Sequence, residues 1–383
     1  NLKDFNTVEA AMVMKCALKI FSSCTCYCLP DLNQVNLQIW FESIKHLLAK
    51  PFPEPGQPGE PSGQPADTEG REAWPWWKLK KWCARIVNQF ISRYGNPMHC
   101  GEENRPFAEF FRSELSILLL TPVMNVLEIK AKGGFITSRV HQLCLGYVAH
   151  AIEMSPTYKL IKQHMSMLLF DMVLPTLALS NEDIYIFNSD PSEFIRKLND
   201  PLEEWVEPRT AAVSLLQALA RYRQKDTLPI LLPKLQSIMD TFNDTPIDQR
   251  DYRQMDGVLV AVATMAKIMH ESKQYKASLE PFVKNQLFPI FQSPAGFLRC
   301  RACWVVGYLD FDWSNKEILS GLLQGLLSGL RDHCLPVKAS AADSMRVLVN
   351  SEDAKPLILP ILTELVSEYF KIMSEVESES VVA

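Results

Sequence analysis

Residues 297–309 read Phe297-Leu298-Arg299-Cys300-Arg301-Ala302-Cys303-Trp304-Val305-Val306-Gly307-Tyr308-Leu309. Leu298, Ala302, Val305, Val306 and Leu309 fall at i, i+4, i+7, i+8 and i+11, the spacing of one face of an α-helix. Arg299 opens the helix, and the small residues Ala302 and Gly307 let a neighbouring helix come close. Basic-then-apolar helices of this kind recur along the chain, so the segment predicts one unit of a stack.

The recurrence has a period. Arg209, Arg253, Arg299 and Lys338 open the second helix of successive pairs, at separations of 44, 46 and 39 residues. Two helices per unit of roughly 40–47 residues is the signature of HEAT and armadillo arrays. A second recurrence places a proline in each first helix: Leu174-Pro175, Leu232-Pro233, Phe288-Pro289 and Leu359-Pro360. Proline removes one backbone hydrogen bond and bends a helix, which suits an outer helix wrapping a curved stack. In the clearest unit, residues 321–349, Asp332 stands six residues before Lys338. Glu203 repeats that spacing before Arg209, whereas Ser293 and Ile247 occupy the matching places before Arg299 and Arg253. An inter-repeat ladder on Arg209, Arg253, Arg299 and Lys338 is therefore expected, but an incomplete one. No segment alternates as a strand does between turn signals. The fold class is all-α, a HEAT-repeat (armadillo-like) solenoid.

Boundaries follow from composition. HEAT helices are expected over 1–50, a Pro/Gly-rich flexible loop insertion over 51–73, and HEAT repeats over 74–179. An acidic connector with a short helix near 193–198 spans 180–207, repeats resume over 208–374, and 375–383 reads as a frayed acidic tail.

A chain of 383 residues exceeds one core of usual size, which calls for several domains or a repeat array. A net charge of −5 argues against a general nucleic-acid binder and fits a partner of positive charge. No apolar run uninterrupted by Lys, Asp or Pro reaches membrane-spanning length, so no membrane is expected. The start, Asn1-Leu2-Lys3-Asp4, carries no signal peptide, and without an initiating Met it reads as a fragment. Ten cysteines, most of them inside apolar helical patterns, read as free thiols of a reducing compartment.

Little points to chemistry. Cys300-X-X-Cys303 lacks both the preceding strand of a redox motif and a second ligand pair for zinc, so it reads as packing. Cys24, Cys26 and Cys28 do not converge at helical spacing, and His99-Cys100 and His333-Cys334 lack partners nearby in sequence. No metal, cofactor or catalytic residue is assigned, and no nucleotide-binding or hydrolase motif occurs. Trp74, Trp76, Trp77 and Trp82 interleave with Lys78, Lys80 and Lys81. That pattern could serve nucleic acid, but a helix with one core face and one solvated face explains it better, and no direct nucleic-acid contact is expected. Glu203, Glu204, Glu207 and Asp332 are the candidate acidic patch for a basic partner, with Asp310, Asp312 and Asp343 also near turns and second helices.

Four stretches carry a family resemblance: Pro75-Trp76-Trp77-Lys78-Leu79-Lys80-Lys81-Trp82, Asp190-Pro191-Ser192-Glu193-Phe194-Ile195-Arg196-Lys197, Tyr252-Arg253-Gln254-Met255-Asp256-Gly257 and Leu298 to Val305. In order and spacing the chain resembles the importin-β superfamily, in its importin seven/importin eight branch. The Asp190 stretch is shared with the related exportin that recycles importin-α. The resemblance implies a nuclear transport receptor that shuttles between cytoplasm and nucleus. Its partners would be basic cargo such as ribosomal proteins or histones, Phe-Gly nucleoporins and Ran-GTP, the main Ran contact lying outside this stretch. The alternatives are that exportin, or a HEAT scaffold with no transport role.

Overall fold

The computed structural model describes residues 6–26, 34–55, 63–98, 100–200, 207–309, 313 and 315–382, and among these no strand occurs. The helices are α1 (Val8–Thr25), α2 (Gln34–Ala49), α3 (Thr68–Ala73), α4 (Pro75–Tyr94), α5 (Arg105–Phe110), α6 (Ser116–Ala131), α7 (Ser138–Glu153) and α8 (Ser155–Lys162). They continue as α9 (Leu174–Leu177), α10 (Asn181–Ser189), α11 (Pro191–Asn199), α12 (Pro208–Tyr222), α13 (Gln224–Asp244) and α14 (Tyr252–Glu271). The last are α15 (Leu279–Phe282), α16 (Gly296–Val306), α17 (Lys316–Leu330), α18 (Leu335–Asn350) and α19 (Leu362–Val382), with short linking turns between. Side-chain caps fix several starts: Thr7 accepts from the Ala10 amide, Asp190 from Glu193 and Asp251 from Gln254.

The chain divides into two compact units, one of residues 1–173 with 206–224, the other of 174–205 with 225–383. In the first, the second helices α1, α4, α7 and α12 lie side by side in one layer, and α2 and α6 pack together in the other. An aromatic cluster fills the space between, with Phe41 edge-on to Phe90 at 4.9 Å and Phe111 6.1 Å from Phe41. In the second unit, α14, α16 and α18 form the layer of second helices, and α17 and α19 pack as first helices. Gly321, Gly325 and Gly329 lie one turn apart on α17. A Cβ on Gly325 would stand 2.4 Å from the Phe291 ring, and one on Gly329 2.7 Å from Cys303 Sγ, so the glycines set how closely α17 meets its neighbours.

The prolines act where expected, in first helices. A π-helical turn, Leu168–Val173, runs directly into the Pro175 segment, and another, Val283–Leu287, precedes Pro289. A proline offers no N–H to the carbonyl four residues back, and the helix widens to use a later donor.

Four expectations are adjusted. The 51–73 stretch contains a helix, α3, started by Asp67, which accepts from the Gly70 amide at 2.6 Å. The 180–207 connector holds two helices. A capping box of Ser180 and Asp183 starts α10, and Phe187 meets Phe194 at 5.1 Å and Phe297 at 6.4 Å. The last helix runs to Val382, through the stretch read as a frayed tail, with Glu375 held by Lys338. Finally, one helical stretch, Glu102–Ala131, is long and apolar enough by length and composition to cross a membrane. It runs on through Arg112, Glu114 and Pro122, which interrupt the apolar run in the sequence. Inside the unit it serves as a core first helix, 56% of its most apolar window being buried.

Candidate functional site

The four ladder residues all stand in the first turn of second helices, from where they reach neighbouring repeats on either side. Arg209 opens α12 and is half-buried. Arg253 Nε donates to the Leu179 carbonyl at 2.7 Å and Nη1 to Asn181 Oδ1 at 3.4 Å. Arg299 makes a bidentate pair with Asp332, Nε to Oδ2 at 2.6 Å and Nη2 to Oδ1 at 2.9 Å, and donates to the Ser293 carbonyl at 2.8 Å. Lys338 Nζ reaches both Glu375 oxygens at 2.8 and 2.6 Å. Two rungs thus join basic and acidic side chains of successive repeats, α16 to the turn before α18 and α18 to α19.

Asp332 therefore stands elsewhere than in an open acidic patch. Its side chain is 9% exposed, and it also accepts the Cys334 amide at 2.9 Å. Burial works against its charge, but Arg299 and that amide hold its carboxyl below the usual range. Asp332, His333 and Cys334 are consecutive, and one ligand atom from each lies within 4.8 Å of the others, so the expectation that His333-Cys334 lack a partner nearby in sequence is corrected. Both Asp332 oxygens are engaged by Arg299. Glu207 takes the N-cap position of α12 and is half-buried. Cys28, His99, Glu203, Glu204, Asp310 and Asp312 lie outside the described residues.

The opening segment contains a feature that periodicity does not reveal. Arg301, 8% exposed, donates from Nε to Asp256 Oδ1 at 2.6 Å, and Asp256, fully buried, also accepts the Leu179 amide through Oδ2 at 2.9 Å. One carboxylate thus joins α14, α16 and the chain after α9. Burial opposes the Arg301 charge, but Asp256 outweighs it and pushes the guanidinium up. The available signal was a carboxylate inside the apolar run Met255–Ala263. Around this pair Cys300 and Cys303 are buried. Burial pushes the Cys300 thiol up to about 11 and the Cys303 thiol well above its ordinary value. Cys300 donates to the Pro336 carbonyl at 3.3 Å. These are thiols packed in a helix, in a state unlike a reactive thiolate.

In the first unit Trp76 and Trp77 are buried. Lys80 is also buried, and its ammonium donates to the carbonyls of Leu48 at 2.6 Å and Lys50 at 2.8 Å at the end of α2, with the Phe52 ring 5.0 Å away. Burial pulls its pKa down to about 8. Arg93 donates to the Thr25 carbonyl at the end of α1, and Arg223 to the Ile152 carbonyl at the end of α7. Basic side chains from neighbouring helices thus close helix C-termini through much of this unit. A groove of about 210 Å³ lies between α6 and the α8 segment, lined by Leu120, Met124, Leu160, Ile161 and Met167 together with the polar Asn125, Glu128 and His164.

Comparison with known proteins places this architecture. A family model described as Cse1 matches residues 6–289. The chain is 33% identical to an importin beta-like SAD2 homolog of Arabidopsis thaliana, over 97% of this chain and 36% of that protein. It is 28% identical to importin-8 of Homo sapiens, over 97% of this chain and 35% of that protein. The chain thus spans about a third of the length of these curated relatives. Among solved structures, the exportin Cse1 in its cargo-free, cytoplasmic state matches with a TM-score of 0.67 at 16% identity, covering 94% of this chain and 37% of that one. That likeness shows the fold, a HEAT-repeat solenoid. The chain belongs to the Cse1 family and, within the importin-β superfamily, to its importin-7/importin-8 branch.

Proposed function

We propose that the chain works in a nuclear import receptor that carries basic protein cargo through the nuclear pore and releases it to Ran-GTP, shuttling between cytoplasm and nucleus. The observation that carries this reading is the match of 97% of the chain to importin-named relatives. The repeat architecture supports it, since stacked helices offer long surfaces for a protein partner. In this reading the protein is not an enzyme. Cargo binds by charge complementarity and buried area, with Glu203, Glu204 and Glu207 as the acidic contact. Charge reversal at those three positions is expected to weaken basic cargo, and unchanged binding of all cargo would remove the patch from the account.

The groove of Leu120, Met124, Leu160 and Met167 is the proposed seat for a Phe-Gly nucleoporin side chain. Methionines adapt to an inserted ring, and the groove lies between α6 and the α8 segment. A Phe-Gly pull-down with Met124→Glu tests it. The variant should lose binding measurably, and equal capture by wild type and variant would discard the groove. The second reading, an exportin, is compatible with the Cse1 family model, whose name the solved exportin shares. It predicts the opposite response of cargo to Ran-GTP.

A further inference from the structure

The second helices of the first unit carry a charge distribution that neither basic cargo nor the ladder explains. Across α1, α4, α7 and α12 the only carboxylate residues are Glu9, in the first turn of α1, and Glu153, at the end of α7. The same helices place Lys19, Lys78, Lys81, Arg85 and Arg139 close together. Lys19 of α1 lies 5.5 Å from the centre of the Trp82 ring of α4, and Arg85 lies 4.9 Å from it, so one indole is flanked by cations from two repeats. Lys78, Lys81 and Arg85 share a face of α4 at spacings of three and four. Arg139 opens α7, which packs beside α4. Among the described residues, Lys19, Lys78, Lys81 and Arg85 form no ion pair. Burial lowers the Lys81 pKa first, and Lys78, Arg139, Arg85 and Lys19 all lower it further, in keeping with five cations that share one field.

Like charges at i, i+3 and i+4 disfavour a helix, so the concentration does not serve the stability of α4. It is also local, because the whole chain carries a net charge of −5. We propose that this face of α1, α4 and α7 is a binding surface for an acidic polypeptide segment, distinct in chemistry from a basic cargo. The segment lies across the second helices, with carboxylates on Lys78, Lys81, Arg85 and Arg139. Nucleic acid fits less well. Single strands need aromatic faces for base stacking, yet Trp76 and Trp77 are buried, and Trp82 already has Lys19 and Arg85 over its ring.

The test is fluorescence anisotropy of a labelled twelve-residue peptide of alternating Glu and Ser with the whole chain, beside a thymidine oligonucleotide of similar charge. Raising salt from about 50 to about 200 mM shortens the screening length from roughly 14 to roughly 7 Å, and peptide affinity should fall by about tenfold. The variant K78Q/K81Q/R85Q should bind about tenfold more weakly at low salt, and K78R/K81R should bind as the unaltered protein does. If the Gln variant does not fold by circular dichroism, the salt response of the unaltered protein and the Arg variant decide the question. Absence of salt-sensitive peptide binding, or equal binding by a folded Gln variant, overturns the proposal. Tighter binding of the oligonucleotide than of the peptide reassigns the surface to nucleic acid and also overturns it.

Discussion

Replacing Asp256 with Asn keeps the size of the side chain but leaves the Arg301 guanidinium buried without its counter-charge. The pair is closed to water, at 0% and 8% exposure, with a contact of 2.6 Å. Breaking a buried pair by removing one partner costs about 3–5 kcal/mol, mostly through the stranded charge. Asn can still accept the Leu179 amide through its carbonyl, so about 3 kcal/mol is expected for Asp256→Asn. Arg301→Met strands the Asp256 carboxylate, which keeps only that one amide donor, and should cost about 4 kcal/mol. The double variant, with both charges gone, should lose only about 1–2 kcal/mol against a sum of about 7, giving a coupling of about 5–6 kcal/mol in a double-mutant cycle. Urea unfolding followed by circular dichroism reads these values as midpoint shifts at constant slope. Single variants each losing less than about 1 kcal/mol, or a double variant whose loss is the sum of the two, would refute the idea that this pair clamps α14 to α16.

Burial holds the His141 imidazole neutral and pulls its pKa from 6.5 to about 4, with Lys130 adding a smaller push. The unfolded chain takes up this proton near pH 6.5 and the folded chain does not, so stability falls as pH drops from about 6.5 to 4, by about 3 kcal/mol in all. His141→Leu should flatten most of that slope in pH-dependent thermal unfolding, and an unchanged slope would clear His141 of the effect. Arg299→Gln removes a bidentate rung and leaves Asp332 largely buried. A loss of about 2 kcal/mol is expected by urea unfolding, and a loss near zero would mean the rung is ornamental. Gly325→Ala drives a Cβ into the Phe291 ring. Overpacking of about 1–3 kcal/mol should outweigh the ~1 kcal/mol helix gain, so a stabilised variant would contradict the close approach of α17.

The helices were legible because stacking imposes a period on the chain. Arg209, Arg253, Arg299 and Lys338 gave the repeat, and the prolines marked the first helices. What escaped notice depends on meetings between distant residues. Asp256 and Arg301 are 45 positions apart, and Lys80 closes a helix that ends about thirty residues earlier, so neither contact leaves a local pattern. Asp332 looked like a surface acid because its partner Arg299 lies in the preceding repeat. By contrast α3 had a readable start in Asp67, outweighed by the prolines and glycines before it. The Trp-Lys stretch reads in sequence as a helix with a core and a solvated face. Trp77 and Lys81 fit that reading, and Lys80, buried with its ammonium on carbonyls, does not.

The proposed import direction of transport is tested most directly by one titration. The full-length protein is incubated with a basic nuclear protein such as a histone, and complex formation is followed by anisotropy as Ran-GTP is added. Release of the cargo by Ran-GTP, with Ran-GDP inert, is the predicted result; tighter cargo binding in the presence of Ran-GTP would contradict it.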